Sequence, residues 1–362
     1  MIPCWWLVVM ILPLVSWGFV VESFQTRHVY HSGERRTVLQ AGNDNTLMPL
    51  RPGSTVALIT PMTSSGSIDI PELRRLVQWH ISQKTDNLCV LGTTGEASLL
   101  DMSERQIVLQ TVVEEAKNIL PILVGTGTLL PQDVRTLAQQ ALDFGADAHL
   151  VIPPYYLKPP QRCIVQHMTD LANHVALPLV LYNVPGRTGV DIADETTIAL
   201  SQHENIIGLK DATGNLSRVT NVRKEVDAVL SSSSSSSKFL LYSGDDETSL
   251  DFVLQGGDGC ISVTANVAPN AMHTIMTLAK TIQGKDDKDD DNDVLQTART
   301  MNQRLDLLHK RLFVESNPIP VKYAASKMGL ISSAYCRPPL DRLDPKWEAT
   351  VDEALQEADL LL

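Results

Sequence analysis

NLCVLGTTGEASLLDMSERQIVLQTVVEEAKNILPILVGTGTLLPQDVRTLAQQALDFGADAHLVI, residues 87–152, contains three short and nearly unbroken apolar runs: NLCVLG (87–92), PILVG (121–125) and AHLVI (148–152). Segments of helical length, 101–118 and 131–145, separate them. Continuous hydrophobicity marks strands buried on both faces, and helices between such strands mark parallel β-α-β units. The pattern continues in both directions. Upstream stands TVALIT (55–60) with a helical segment at 69–84; downstream stand PLVLYN (178–183), NIIGLK (205–210), KFLLYSG (238–244) and GCISV (259–263). Eight β-α units across residues 51–282 predict an α/β fold, a (β/α)8 TIM barrel. A doubly wound open sheet is the competing architecture, but neither GxGxxG nor GxxxxGK[ST] follows any run. Residues 294–362 read as a C-terminal helical region with turns near Asn317-Pro318 and Arg337-Pro338-Pro339, suited to covering the barrel or to subunit contacts.

The flanking segments are of a different kind. Residues 1–21 carry no charged side chain, which suits a signal-peptide core, and Pro3 and Pro13 disfavour a permanent span. The following segment holds Arg27, Arg35 and Arg36 with His28 and His31, the bias of a transit peptide. Residues 1–48 therefore read as a cleavable leader, and the join Glu22-Ser23-Phe24 resembles the two-part leaders of algae with complex plastids. A plastid destination is expected, with secretion or a single-span anchor as alternatives. Ser231–Ser237 and the acidic run at 283–293 read as solvated loops, since neither can bury enough apolar area to order itself. An EF-hand starting at Asp287 would need Gly and Glu where Asn292 and Ala298 stand.

A net charge of −12 repels phosphate backbones and anionic lipid heads, so nucleic-acid binding and stable membrane association after leader cleavage are disfavoured. Cys4, Cys89, Cys163, Cys260 and Cys336 show no CxxC spacing, which leaves neither a disulfide framework nor a zinc site. The histidines lack HExxH spacing and no GxSxG occurs, so no metal site and no serine nucleophile are expected.

Barrel active sites lie at the C-terminal ends of the strands. The polar residues there are Thr60, Thr93-Thr94-Gly95-Glu96, Tyr155-Tyr156, Tyr182, Lys210-Asp211, Gly244-Asp245-Asp246 and Ser262. Lys210 is the one cation among them. Directed into the barrel mouth, its amine would be desolvated and able to condense with a ketone as a Schiff base; directed outward, it would snorkel to water. Tyr182 closes the preceding run and suits proton transfer to that nitrogen's adducts, though it equally suits a rim aromatic. The turn Gly92-Thr93-Thr94-Gly95 offers amides and hydroxyls for a carboxylate, and Arg187 could take a second carboxylate bidentately or sit on a surface loop. Tyr155-Tyr156, in a double-proline loop, reads as an interface platform.

Taken together, Gly92–Glu96, Tyr182–Gly189, Gly208–Asn215, Ser243–Asp246, Ile261–Asn266 and the tail stretch Phe313–Lys322 resemble the dihydrodipicolinate synthase family of pyruvate-dependent class I aldolases, across about residues 51–340. The resemblance implies a lyase that condenses pyruvate with L-aspartate-4-semialdehyde to 4-hydroxy-tetrahydrodipicolinate, in the diaminopimelate route of lysine biosynthesis. It implies Lys210 as the Schiff-base residue, with Tyr182, Thr93 and Tyr156 as a proton relay, Tyr156 entering from a neighbouring subunit of a homotetramer. Thr94 with nearby backbone would hold the pyruvate carboxylate, Arg187 the carboxylate of the aldehyde, and Gly244 and Ile261 would line the pocket. It implies no metal and no organic cofactor, because the lysine supplies the electrophilic activation. A sister aldolase such as N-acetylneuraminate or keto-deoxy-sugar lyase would share Lys210 and Tyr182, but Thr94 and Arg187 suit a keto acid and a carboxylate better than a polyol. A catalytically silent pyruvate-binding barrel is the third reading, and the intact Lys, Tyr and Thr set argues against it.

The sequence departs from lysine-inhibited members of the family in one cleft. Those members resemble one another in having His or Trp at the position of Met102, His at Arg105, Asn at Leu129 and Glu at Asp133; Tyr155 alone is unchanged. Weak or absent inhibition by lysine is expected. Asp211 stands where many members carry Glu, and Asn215-Leu216-Ser217 is formally a glycosylation acceptor just past Lys210.

Overall fold

The structure, a computed structural model, describes residues 47–232, 238–284 and 289–361. The expected leader up to residue 46, the serines from 233 to 237 and the Lys-Asp-Asp-Lys stretch from 285 to 288 lie outside them. Eight parallel strands close into a barrel in sequence order: β1 (Gly53–Ala57), β2 (Asn87–Val90), β3 (Ile122–Gly125), β4 (Ala148–Val151), β5 (Leu179–Asn183), β6 (Ile206–Asp211), β7 (Leu240–Ser243) and β8 (Gly259–Ser262). Closure at the β1–β8 seam needs glycine: a Cβ on Gly259 would stand 2.0 Å from the Gly53 carbonyl oxygen.

The helices around the barrel start where the local chemistry starts them. Asp69 caps α1 (Ile70–Ser82) by accepting from the Glu72 amide, and Asp101 forms a reciprocal capping box with Glu104 at α2 (Met102–Ala116). Pro131 opens α3 (Pro131–Phe144), and Gly145, at φ 94°, closes it. The circuit continues through α4 (Gln161–His174), the single turn α5 (Pro185–Thr188), α6 (Asp194–Leu200), α7 (Leu216–Ser232), α8 (Ser249–Leu254) and α9 (Pro269–Ile282). Apolar side chains divide into a shell between strands and helices and an inner cluster that fills the barrel, including Cys89, Leu123, Val180, Tyr182, Tyr242 and Ile261. The barrel is a packed core, open to chemistry only at its ends.

Three expectations need correction. The first strand spans 53–57 rather than 55–60, because after a last backbone bond from the Leu58 amide to Cys89 O side chains take over: the Ile59 amide donates to Asn266 Oδ1, and Thr60 Oγ1 donates to Gly95 O. The acidic run is not a loop to its end, since α10 (Asp289–Arg311) begins inside it, with Asp291 in its first turn, where a carboxylate suits the helix dipole. Likewise Ser231 and Ser232 belong to α7. After 294 the chain is helical with breaks near both expected turns: α10 is followed by α11 (Ile319–Lys327) and α12 (Pro345–Glu357), with no helix from 328 to 344. The Arg337-Pro338-Pro339 stretch lies there, and proline removes the amides a helix requires.

Candidate active site

Tyr182 and Lys210 are Cα partners on β5 and β6. Their shared face depends on one irregularity. Leu179 pairs with Ile206, but Val180 pairs with Gly208, so Ile207 is an extra residue on β6. Ile206 and Leu209 both pack in the outer shell although three positions separate them, which strict alternation forbids. The bulge resets the parity and turns Lys210 inward beside Tyr182. Lys210 is 6% exposed, and its Nζ stands 4.3 Å from the centroid of the Tyr182 ring. That ring face attracts an ammonium and would equally attract a protonated imine on the same nitrogen. The buried cation is felt by its neighbours: desolvation pushes the Cys89 thiol up to about 11, and the Lys210 charge opposes that shift.

The residues that follow this pair hold the strand ends from behind. Asn183 and Asp211 are also Cα partners, and Asn183 Nδ2 donates to Asp191 Oδ1 at 2.7 Å and Asp211 Oδ1 at 3.3 Å. Arg218 bridges Asp191 and Asp194 at 2.9 and 2.8 Å and reaches Asp211 at 3.6 Å. Burial pushes the Asp211 carboxyl up, and the Arg218 charge acts against it. Sequence reasoning assigned these residues no role; the sole signal was that Asn183 and Asp211 directly follow the candidates Tyr182 and Lys210.

A cavity of about 560 Å³ opens over the C-terminal ends of β2 to β5. Thr93, Tyr182 and Arg187 are on its wall, together with Arg105, Asp133 and Tyr155. Lys210 is not on that wall and stands behind the Tyr182 ring. Gly244 is packed against it, since a Cβ there would lie 2.9 Å from Lys210 Cε. Ile261 is buried inside the barrel in the same inner cluster as Tyr182. Thr94 is buried as well, and its Oγ1 accepts from Asn317 Nδ2 at 2.9 Å. Tyr156 is apart from the others: it is 85% exposed, has a left-handed backbone (φ 68°), and does not reach the cavity wall, which its neighbour Tyr155 does. Arg105 ties two strand-end loops by donating to Ala97 O at 2.9 Å and Gly125 O at 2.7 Å, and burial lowers its guanidinium to about 10. Among the described residues, no group of three or more His, Cys, Asp or Glu could hold a metal ion, and no helix is long and apolar enough to cross a membrane.

An inward lysine on β6, flanked by a tyrosine on β5 and a threonine turn after β2, is an arrangement for imine chemistry on a carbonyl compound. The profile of the Dihydrodipicolinate synthetase family matches residues 51–358. A 4-hydroxy-tetrahydrodipicolinate synthase of Saccharophagus degradans is 44% identical over 309 residues, covering 85% of this chain and 99% of that protein. Among solved structures, the chloride-inhibited dihydrodipicolinate synthase of Acinetobacter baumannii complexed with pyruvate superposes with a TM-score of 0.78 at 42% identity, over 86% of this chain and 99% of that one. The dihydrodipicolinate synthase of Thermotoga maritima gives a TM-score of 0.79 at 33% identity, over 86% and 100%. The inward Lys210 thus stands in a chain that belongs to the dihydrodipicolinate synthase family.

Proposed function

We propose that the chain is a 4-hydroxy-tetrahydrodipicolinate synthase, a lyase condensing pyruvate with L-aspartate-4-semialdehyde through an imine on Lys210, in the diaminopimelate route of lysine biosynthesis. The observation that carries this reading is the Lys210 amine, buried inside the barrel against the Tyr182 ring at 4.3 Å. The amine attacks the ketone carbon of pyruvate, and the carbinolamine loses one water to give the imine. The protonated imine accepts the electron pair left when the methyl group loses a proton, and the resulting enamine carbon bonds to the aldehyde carbon. The amine of the second substrate then displaces Lys210 from the imine carbon, which closes the ring and frees the lysine.

Each other residue has a place in this scheme. Tyr182 passes protons to and from the nitrogen's adducts, with Thr93 next in the relay and Tyr156 supplied by a neighbouring subunit. Thr94 accepts from Asn317, so its own hydroxyl proton is left for the pyruvate carboxylate. Arg187, exposed on the cavity wall, takes the carboxylate of the aldehyde. Gly244 leaves room for the Lys210 side chain, and Ile261, buried in the same inner cluster as Tyr182, is assigned to the pocket lining in this reading.

The assembly in this reading is a homotetramer. In its support, Tyr156, Leu157, Leu130 and Met102 expose apolar surface at 85%, 63%, 59% and 43%. The uncharged segment at 1–21 and the arginines after it support delivery to a plastid.

Borohydride reduction with pyruvate tests the chemistry: reduced adduct mass on Lys210 is expected, and an unmodified lysine refutes the assignment. A coupled assay with aspartate-4-semialdehyde against sialic acid then tests the substrate.

A further inference from the structure

The turn that carries Thr93 is held from outside the barrel as well as from within it. Leu91 and Glu96 bracket Gly92–Gly95 at φ 56° and φ 55°, two non-glycine residues in the left-handed region. Such backbone persists where the surroundings over-determine it. From the barrel side, Thr60 Oγ1 donates to Gly95 O at 2.8 Å. Three further contacts come from the C-terminal region. Asn317 Nδ2 donates to Thr94 Oγ1, Lys322 Nζ of α11 donates to Glu96 Oε1 at 2.6 Å, and the Arg337 amide donates to Glu96 Oε2 at 2.8 Å.

The Glu96 and Lys322 side chains are both 0% exposed. A buried ion pair contributes little net stability compared with apolar residues of equal volume, although losing one partner strands the other's charge. Stability is therefore a weak reason for this pair. Geometry is a stronger one, because each carboxylate oxygen is committed to a different C-terminal donor, and together they hold Glu96 in its left-handed conformation. We infer that Lys322, acting through Glu96, is a positioning residue for Thr93: the buried pair locks the far end of the turn and so sets where the Thr93 hydroxyl stands in the cavity wall. The role rests on the Schiff-base reading above and extends the site to α11, which the barrel itself does not need for closure.

The test uses the full chain, as Glu96→Gln and as the double variant Glu96→Gln/Lys322→Met, each also made with Thr93→Val. Borohydride trapping of pyruvate by the unaltered protein comes first. No adduct on Lys210 there refutes the Schiff-base reading, and this inference falls with it. With an adduct present, both variants are expected to fold and trap pyruvate but lose turnover by about tenfold to a hundredfold. In the Thr93→Val background the same substitutions are expected to change turnover by less than about twofold, because the hydroxyl they position is gone. Equal losses in both backgrounds mean a merely structural role and overturn the inference, as does undiminished turnover in the Thr93 background. Glu96→Gln retains the side-chain shape, so it completes the comparison even where the double variant does not fold.

Discussion

Lys210 Nζ faces the ring of Tyr182 rather than open solvent, two side chains paired in register on adjacent strands. Tyr182→Phe keeps that ring face and removes only the proton-transfer group. Turnover is expected to fall by about 10²–10⁴-fold while reduced pyruvate still accumulates on Lys210, measured by mass spectrometry beside steady-state kinetics. Lys210→Ala is expected to leave no adduct at all.

Gly244→Ala tests the space around the lysine. The added carbon would stand 2.9 Å from Lys210 Cε and 2.8 Å from Ala212 Cβ, closer than ordinary contact allows. Displacement of the amine should slow imine formation on the order of a hundredfold, read as the rate of borohydride-dependent labelling. Labelling at the original rate would show that the lysine approaches pyruvate from elsewhere.

Arg187→Gln removes a charged donor from the cavity wall. Loss of a charge-assisted contact costs about 1.5–3 kcal/mol, so KM for aspartate-4-semialdehyde should rise roughly tenfold to 150-fold. KM for pyruvate should stay near its starting value, and a rise in both would assign the guanidinium to the ketone carboxylate instead.

Lysine should inhibit weakly or not at all. Arg105 is committed to the carbonyls of Ala97 and Gly125, and Leu129 offers no side-chain hydrogen bond to an effector. A titration of initial rate against lysine is expected to stay flat through the micromolar range, and half-inhibition within it would contradict the expectation.

Stability should decline as pH is lowered below about 6.5. Burial pushes the imidazoles of His80 and His149 down to about 3, and each has an Nε2 with no partner among the described residues. Unfolded histidines titrate near 6.5, so between about pH 6.5 and 3 the unfolded chain binds more protons and the folded state loses ground. The loss is about 1.4 kcal/mol per pH unit for each histidine. His80→Gln/His149→Gln should flatten that slope, measured by urea denaturation at pH 6.5 and pH 5; an unchanged slope would assign the acid sensitivity to other groups.

The barrel was legible because its signal is local. Runs such as 121–125 and 148–152 lie within a residue of β3 and β4, since a doubly buried strand must be apolar wherever it lies along the chain. Element ends were less legible. β1 stops at Ala57 because, one residue past the Leu58 amide that donates to Cys89 O, Asn266, more than two hundred residues away, takes the amide of Ile59, and no nearby residue announces that partner. Candidate site residues were legible by type and by strand-end position, which is how Lys210, Tyr182, Thr93 and Arg187 were chosen. The partners that hold them were not: Asn317 and Lys322 entered within the tail stretch Phe313–Lys322 of the family resemblance, with no role of their own.

Composition and periodicity alone sufficed for eight strands, their order and the end of the barrel where chemistry belongs, because burial on two faces and short connections constrain residues near one another in sequence. Which way Lys210 points was settled in three dimensions. An alternating strand would have placed it with Ile206 against the helices, and the extra residue at Ile207, visible only once β5 and β6 are paired, turns it inward. The same holds for the Thr93 turn, whose left-handed end is held by a charge more than two hundred residues downstream: side-chain chemistry is written along the chain, but contact between distant segments exists only after the fold brings them together.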